Sequence, residues 1–327
     1  MNKKNRILWV LPLLLCAVCC LSLRVGSVFL SGREFWGGLL GTDGFSTESL
    51  ILYEIRLPRL FGALIAGSGL SFSGLLLQKV TGNALAGPNI IGVNAGAGFG
   101  VMLTLFFAPT LVLLLPITAF GGAFLATLLI VGFAYHRSKS TVILAGVSIS
   151  ALLNAGISFF SLLDPDVLAS YNHFSIGGLS GVQTKELLLP ALLIGICFLI
   201  ILLFGSRIDC LSLGDAVASS LGVRVGSLRA LCLILASACA AAAVSFAGLL
   251  GFVGLMVPHI ARRLAPVCFR LQTVCAALLG GVLLVLADLL GRVLFAPSEL
   301  PVGILTALIG APFFFYLLIR RKRYASI

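Results

Sequence analysis

Two arginines placed just before a long apolar run are well suited to recognise a negatively charged partner. Arg56 and Arg59 lie three residues apart within Glu54–Arg59, so both side chains share one side of a helix. Pro58 suits a first helical turn, where its missing N–H leaves no bond unmade. A rigid arginine pair on an outer ledge would bind carboxylates of a docking protein. Snorkelling of both side chains to a membrane interface is the alternative interpretation.

A second charged pair, Asp288 and Arg292, has the i,i+4 spacing of a helix. Ionisable residues near a membrane are candidates for function, and a structural ion pair is the competing interpretation. His259 has no second histidine or acid near it in sequence, which favours a structural role. The chain contains no H-E-x-x-H, G-x-S-x-G or Walker phosphate-binding motif. We therefore predict no catalytic residue, no metal site and no ATP hydrolysis by this chain.

Two glycine-rich segments could contact a partner or a moving part. In Leu213–Gly222, the glycines Gly214 and Gly222 would end a short helix on both sides. Such a helix could be a knob for a cytosolic partner, and an ordinary amphipathic loop helix is the alternative. The polar break Gly82–Asn89 separates two apolar runs. Irregular backbone at membrane depth is tolerated where it is buried or lines a cavity, so this break indicates either a gate or a plain tight loop.

The composition places these residues in a membrane protein. Of the 327 residues, 60% are hydrophobic and 10% are charged, whereas soluble domains carry about 25% charged residues. The net charge of +11 agrees with a positive-inside bias and with attraction to anionic membrane lipid. Lysines and arginines do not form a stripe with interleaved aromatic residues, which excludes nucleic-acid binding.

Nine apolar runs are long enough to cross a hydrocarbon layer of ~30 Å as helices. No strand-length alternation recurs, so the pattern predicts an all-α polytopic protein. The nine runs are residues 7–30, 57–78, 89–108, 110–134, 142–163, 186–204, 228–255, 273–290 and 301–319.

Charge predicts that both termini are cytoplasmic. With the N-terminus inside, 16 of the 22 Lys and Arg residues fall on the cytoplasmic side. Two cytoplasmic termini require an even number of crossings. The stretch from Leu228 to Arg263 is too long for one span, and Gly248, Gly251 and Gly254 break it. We therefore expect a full helix, an outer turn and a short returning helix there, which gives ten crossings.

Taken together, the segments resemble the FecCD family, the permeases of type II ABC importers, which includes permeases for vitamin B12 and siderophores. They keep their order over most of the chain. The matching segments are R-L-P-R at Arg56–Arg59, G-x8-Q-x3-G-N-x-L-A-x-P at Gly69–Pro88, L-A-G-V-S-I-S at Leu144–Ser150, L-G-D-A-x-A-x-x-L-G at Leu213–Gly222, G-F-V-G-L-x-V-P-H-I-x-R at Gly251–Arg262, A-D-x-x-x-R at Ala287–Arg292, and E-L-P-V-G-I-x-T-A-x-I-G-x-P-F at Glu299–Phe313.

This resemblance implies a single permease domain over residues 1–327, with ten helices and a cytoplasmic coupling loop at 205–229. It implies two cytosolic ATPase subunits that use ATP and Mg²⁺, a substrate-binding protein outside, and a second permease copy, most simply in a homodimer. No cofactor is expected on this chain. One departure concerns Asn83-Ala84-Leu85-Ala86, where the family usually has N-P-L-A.

The resemblance also assigns roles to individual residues. Binding-protein docking falls on Arg56, Arg59 and Arg292. The cytoplasmic gate falls on Asn83, Leu85, Ser140 and Ile143. The ATPase coupling loop comprises Leu213, Gly214, Asp215, Ala216, Ala218, Leu221 and Gly222.

We therefore predict a permease subunit of an ATP-driven importer in the bacterial inner membrane. Its expected cargo is an iron chelate, a siderophore first and haem or cobalamin next. An ion-coupled secondary transporter of a small solute is the alternative, but it needs an ion site near the membrane midplane. Asp288 is the one candidate acid, and it lies too near the outer end. A membrane-embedded enzyme is disfavoured by the missing catalytic motifs.

Overall fold

The computed structural model describes residues 3–28, 30–40, 47–134, 139–265 and 268–324, and helices account for most of them. The α-helices in chain order are α1 (Lys3–Arg24), α2 (Gly32–Leu40), α3 (Thr47–Leu50), α4 (Leu57–Thr81), α5 (Val93–Phe107), α6 (Leu115–Ala134), α7 (Lys139–Leu163), α8 (Pro165–Ile176), α9 (Thr184–Cys210), α10 (Asp215–Ser220), α11 (Val225–Ala247), α12 (Val253–Leu264), α13 (Phe269–Val293) and α14 (Val302–Tyr324). The part of the chain that the structure describes contains no β-strand.

Six helical segments are long and apolar enough to cross a membrane, and three shorter apolar helices accompany them. One of the six begins in α3 and runs through α4. The other five correspond to α6, α7, α9, α11 and α13. Helices α4 and α11 form the centre, since 78% and 72% of their most apolar stretches are buried. Helix α7 lies at the periphery, with 17% of its stretch buried. The protein is therefore a helical bundle built around two central helices.

Glycines allow the central helices to pack backbone against backbone. A Cβ atom on Gly67 of α4 would lie 2.2 Å from the carbonyl oxygen of Gly280 in α13. A Cβ atom on Gly74 of α4 would lie 1.7 Å from the carbonyl oxygen of Gly254 in α12. Lipid supplies no hydrophobic drive for helices to associate, so close contact between small residues does this work instead.

The stretch between Leu228 and Arg263 divides into two helices, as its excess length predicted. Helix α11 ends at Gly248, which has a positive φ of 69°, and α12 begins after Phe252, whose φ is 63°. One detail of the prediction is wrong: Gly254 does not break the helix but lies in the first turn of α12. A Cβ atom on Gly254 would lie 2.8 Å from the carbonyl oxygen of Leu70 in α4, so the glycine serves close packing rather than a turn.

The helix that contains Arg56 begins earlier than Pro58 suggested. A π-helical turn over Ile51–Arg56 joins α3 to α4 without a break, and Pro58 lies in the first turn of the α-helical part. Proline lacks an N–H and its ring clashes with the carbonyl four residues back. The wider π turn separates these groups, which lets the helix continue through the proline. Arg56 and Arg59 consequently belong to one continuous helix and not to a loop outside it.

Candidate functional sites at the two ends of the bundle

Helix α4 spans ~37 Å at 1.5 Å per residue, so its two termini mark opposite ends of the bundle. One end contains an arginine cluster, which we define as Arg56, Arg59, Asp288, Arg292 and Glu299. The other end contains the loop at residues 205–229, called the coupling loop below.

The predicted Asp288–Arg292 pair forms in the arginine cluster. Arg292 Nε donates to Asp288 Oδ2 at 2.9 Å, and both side chains are about 5% exposed. Arg292 Nη2 also donates to Ser22 Oγ at 2.7 Å, near the end of α1. Because burial removes water from both charges, each carboxylate and guanidinium depends on these partners. The pair therefore links α13 to α1.

Arg59 forms a bidentate pair with Glu299, a residue of the segment that precedes α14. Nη2 lies 2.6 Å from Oε2 and Nη1 lies 3.1 Å from Oε1. Nη2 also donates to Ser180 Oγ at 2.6 Å. Glu299 keeps 32% of its side chain exposed, whereas Arg59 keeps 6%. A pair of parallel N–H···O hydrogen bonds is the geometry in which arginine binds carboxylates most strongly.

Arg56 points away from Arg59 and binds main-chain oxygens. It donates to the carbonyls of Leu23, at 2.5 Å, and of Val28. Leu23 lies in the last turn of α1, where carbonyls have no helical partner and attract cations. Arg56 and Arg292 lie close enough that a Cβ atom on Gly26 would contact both.

All three arginines predicted to dock a binding protein are buried, at 4–5% exposure. The three guanidinium groups are thus enclosed by neighbouring segments and are not displayed on an open surface. The docking role itself stays a prediction. A cavity of about 320 Å³ is lined by Arg59, Arg292 and both carboxylates of the cluster. The cluster is thus reachable through this cavity although its side chains have little exposed surface.

The coupling loop has the architecture that its glycines predicted. Helix α9 continues into a 3₁₀ turn over Leu211–Leu213, and Gly214 begins α10 with a φ of 92°. Gly222 follows α10 with a φ of 79°. Both backbone conformations favour glycine, since a Cβ atom would be strained there. The exposed Asp215 pairs with Arg229 of α11, with Nη2 to Oδ1 at 2.5 Å.

The coupling loop presents apolar side chains on its outer surface. Leu213, Val217 and Leu221 are 57%, 47% and 61% exposed. Ala216 is exposed as well, whereas Ala218 is fully buried and holds α10 against the bundle. Apolar side chains clustered outside a bundle indicate an interface with another molecule.

The predicted gate residues lie on two elements at the coupling-loop end. Asn83 Oδ1 accepts from the N–H of Leu85 at 3.0 Å, which closes a tight turn after α4. Both residues are half-buried, and Ile143 is half-buried on α7. The side chain of Ser140 lies outside the described residues. Their role as a gate stays a prediction.

Sequence reasoning missed the contacts that fix the base of the coupling loop. Lys79 of α4 lies 3.1 Å from Asp209 of α9, and Asp209 Oδ2 accepts from the N–H of Phe269 at 2.9 Å. Arg262 of α12 donates to Gln78 of α4. The available signal was that opposite charges fall at the same depth on neighbouring helices.

These features define a class of protein: a multi-pass helical membrane protein with a charged cavity at one end and an exposed apolar loop helix at the other. The chain is similar to the Fe(3+)-citrate import system permease protein YfmE of Bacillus subtilis (strain 168), at 35% identity over 94% of this chain and 93% of the relative. It is also similar to the molybdate import system permease protein MolB of Haemophilus influenzae, at 33% identity over 97% of this chain and 96% of the relative.

A solved structure described as an inward-facing conformation of a metal-chelate type ABC transporter has a TM-score of 0.87 to this fold. It is 31% identical and covers 97% of this chain and 99% of that one. Residues 14–320 match the FecCD transport family. The chain therefore belongs to the FecCD transport family, as its motifs predicted, and is a permease of the inner membrane rather than an enzyme.

Proposed function

We propose that this chain is the transmembrane subunit of an ATP-binding-cassette importer that moves a ferric chelate into the cytoplasm. The observation that carries the proposal is the exposed apolar loop helix, bounded by two glycines, at one end of the bundle. Family membership and the iron-citrate and metal-chelate relatives support the type of cargo. The molybdate relative makes an oxyanion the cargo to test against it. Haem and cobalamin are the further candidates.

We infer ten crossings with both termini in the cytoplasm. Support comes from the six long apolar helices, the three shorter ones, and α12 as a tenth element. Helix α12 is only ~18 Å long at 1.5 Å per residue, so we propose that the non-helical residues 248–252 complete this crossing. On this orientation the coupling loop is cytoplasmic and the arginine cluster is outside.

In the proposed mechanism, the ATPase pushes on α10 and the bundle transmits the motion. Ala218 and the Asp215–Arg229 pair hold α10 on the bundle, and the Lys79–Asp209 pair joins the base of the loop to the central helix α4. A rigid loop of this kind moves as a unit and can tilt the helices that carry the gate. ATP and Mg²⁺ belong to the partner subunit.

At the outer end, the arginine cluster is proposed to receive carboxylates of the binding protein. Three arginines face two carboxylates in the cluster, so one positive charge is in excess. An incoming acid would offset that excess through the cavity beside Arg59. Helix α7, which exposes small residues such as Ser148, Ala151 and Ala155, is proposed to face the second permease copy.

The test is co-purification of the tagged permease with its cognate ATPase, comparing wild type with Val217→Asp. Ser219→Asp is the matched control, because it adds the same charge about 200° around the same helix. We expect Val217→Asp to lose the ATPase and Ser219→Asp to retain it. Equal association of all three would contradict the coupling-loop assignment. Uptake of ferric citrate but not molybdate by the reconstituted complex would then support the cargo, and uptake without ATP would favour the ion-coupled transporter.

A further inference from the structure

A cavity to which the transport proposal assigns no ligand lies between α9 and α11, at the base of the coupling loop. Its volume is about 650 Å³. Its walls include Arg207 and Cys210 of α9, and Ser227 and Leu231 of α11. Arg224, which immediately precedes α11, also lines it. It is open to the surroundings and is separate from the cavity of the arginine cluster.

The charge in this cavity is uncompensated. Arg207 and Arg224 are both exposed, and within the described residues neither forms a salt bridge. The acids closest in sequence are engaged elsewhere, since Asp209 binds Lys79 and Asp215 binds Arg229. Among the described residues, no carboxylate lines the cavity. The chemistry of the site is therefore that of an anion receptor with two guanidinium groups.

The charge and the apolar surface lie at different depths. Arg224 immediately precedes α11 at the loop end, and Leu231 lies seven residues further along, ~10 Å deeper at 1.5 Å per residue. On α9, Arg207 stacks over the ring of Phe204, with 5.4 Å from the guanidinium carbon to the ring centroid. Phe204 is one turn deeper than Arg207. Both walls thus change from cationic to apolar in the same direction, away from the loop and into the bundle's span.

This polarity matches one class of ligand. We propose that the cavity binds the headgroup of an anionic phospholipid, with its phosphate between Arg207 and Arg224 and an acyl chain along Phe204 and Leu231. Basic cavities between helices at the cytoplasmic membrane surface recognise such headgroups. The exposed Leu203 on α9 gives the acyl chain an apolar route into the bilayer. The bound lipid would brace the coupling loop, since Arg224 immediately precedes α11.

The site needs the proposed membrane orientation but not any particular cargo. The test places the full-length permease in nanodiscs of phosphatidylglycerol or of phosphatidylcholine with the same acyl chains. Native mass spectrometry then counts the lipids that each chain retains. We expect preferential retention of phosphatidylglycerol, weakened about fivefold by either Arg207→Gln or Arg224→Gln. Arg263→Gln is the matched control, because it removes an exposed arginine of α12 outside the cavity.

A second variant tests the cavity without changing charge. Ser227→Trp fills the space beside Arg224 and should also weaken the retention of phosphatidylglycerol. Arg207→Lys keeps the positive charge, so this variant should retain more phosphatidylglycerol than Arg207→Gln does. Equal retention of the two lipids, or equal effects of all three glutamine variants, would overturn the proposal. Displacement of the lipid by millimolar inorganic phosphate would instead indicate a site for soluble anions. Displacement by the ATPase would indicate a protein contact, and either result contradicts a lipid site.

Discussion

The ion pairs at the two ends of the bundle differ in how deeply they are buried. In the arginine cluster, Arg292 and Asp288 are about 5% exposed and bind each other and Ser22. In the coupling loop, the Asp215 side chain is 53% exposed, and Leu213 and Leu221 of the same loop are exposed as well. Both regions carry motifs that predicted docking. The comparison teaches that a motif identifies an end of the molecule. Burial decides whether the charged residues of that motif stabilise the fold or stay accessible to a partner.

The largest expected effect comes from removing one half of the buried pair. Asp288→Asn removes the negative charge that balances the buried Arg292 guanidinium and leaves it only neutral oxygen acceptors, among them Ser22 and the carbonyl of Val25. Loss of one member of a buried pair costs about 3 kcal/mol of unfolding free energy. Thermal unfolding of the detergent-purified protein should show the loss as a clearly lower midpoint. An unchanged midpoint would mean that the outer pair is no more structural than the exposed one.

A smaller effect, on binding rather than on folding, is expected at the coupling loop. Leu221→Ser removes an exposed apolar side chain that stabilises nothing inside the bundle. We expect association with the ATPase to weaken about tenfold, with unfolding free energy changed by no more than about 0.5 kcal/mol. A titration of ATPase against nanodisc-held permease, paired with a melting curve, checks both. A large stability loss would break the contrast between the two ends.

The third prediction asks whether the arginine cluster is also a docking site. Glu299 forms an ion pair with the Arg59 guanidinium, with which a partner's carboxylate would have to pair. Glu299→Gln weakens this competition, so we expect the binding protein to associate about fivefold more tightly, with a steeper dependence on salt. Surface plasmon resonance at two salt concentrations measures both. Weaker association would show that Glu299 itself belongs to the docking surface.

The smallest effect is expected for Arg229→Gln, which frees the exposed Asp215. Exposed ion pairs contribute at most about 1 kcal/mol, and added salt screens them. The melting midpoint should therefore fall by much less than for Asp288→Asn. Hydrogen exchange should rise in α10 while α11 stays protected. A drop equal to that of Asp288→Asn would remove the distinction between the ends.

Much of the fold follows from composition, because runs of about 20 apolar residues have few other stable states. The continuity of α4 with α3 did not, since Pro58 indicates a helix start unless the π turn over Ile51–Arg56 is known. The short α12 was expected because the number of crossings had to be even and because the stretch from Leu228 to Arg263 is too long for one span. Its glycine, Gly254, was assigned to the turn because sequence does not show that Gly74 lies against it.

The coupling loop was predictable because its determinants are local. Gly214 and Gly222 bound its short helix α10 by backbone conformation alone. The arginine cluster was predictable only as a set of charges. Arg59 and its partner Glu299 are 240 residues apart, and Ser180 comes from a third segment. Local spacing shows which residues could bind a carboxylate. It does not show that the chain already supplies one.

The shortness of α12 has a consequence for how the protein is made. A helix of 12 residues that ends in Arg262 and Arg263 is too short and too charged to partition into a bilayer unaided. On the proposed ten-crossing topology, it enters together with α11 as a hairpin, after α4 with its Gly74 has been synthesised and inserted. Biogenesis of the second half of the permease therefore depends on the first half as a template, with Gly74 as the receiving position.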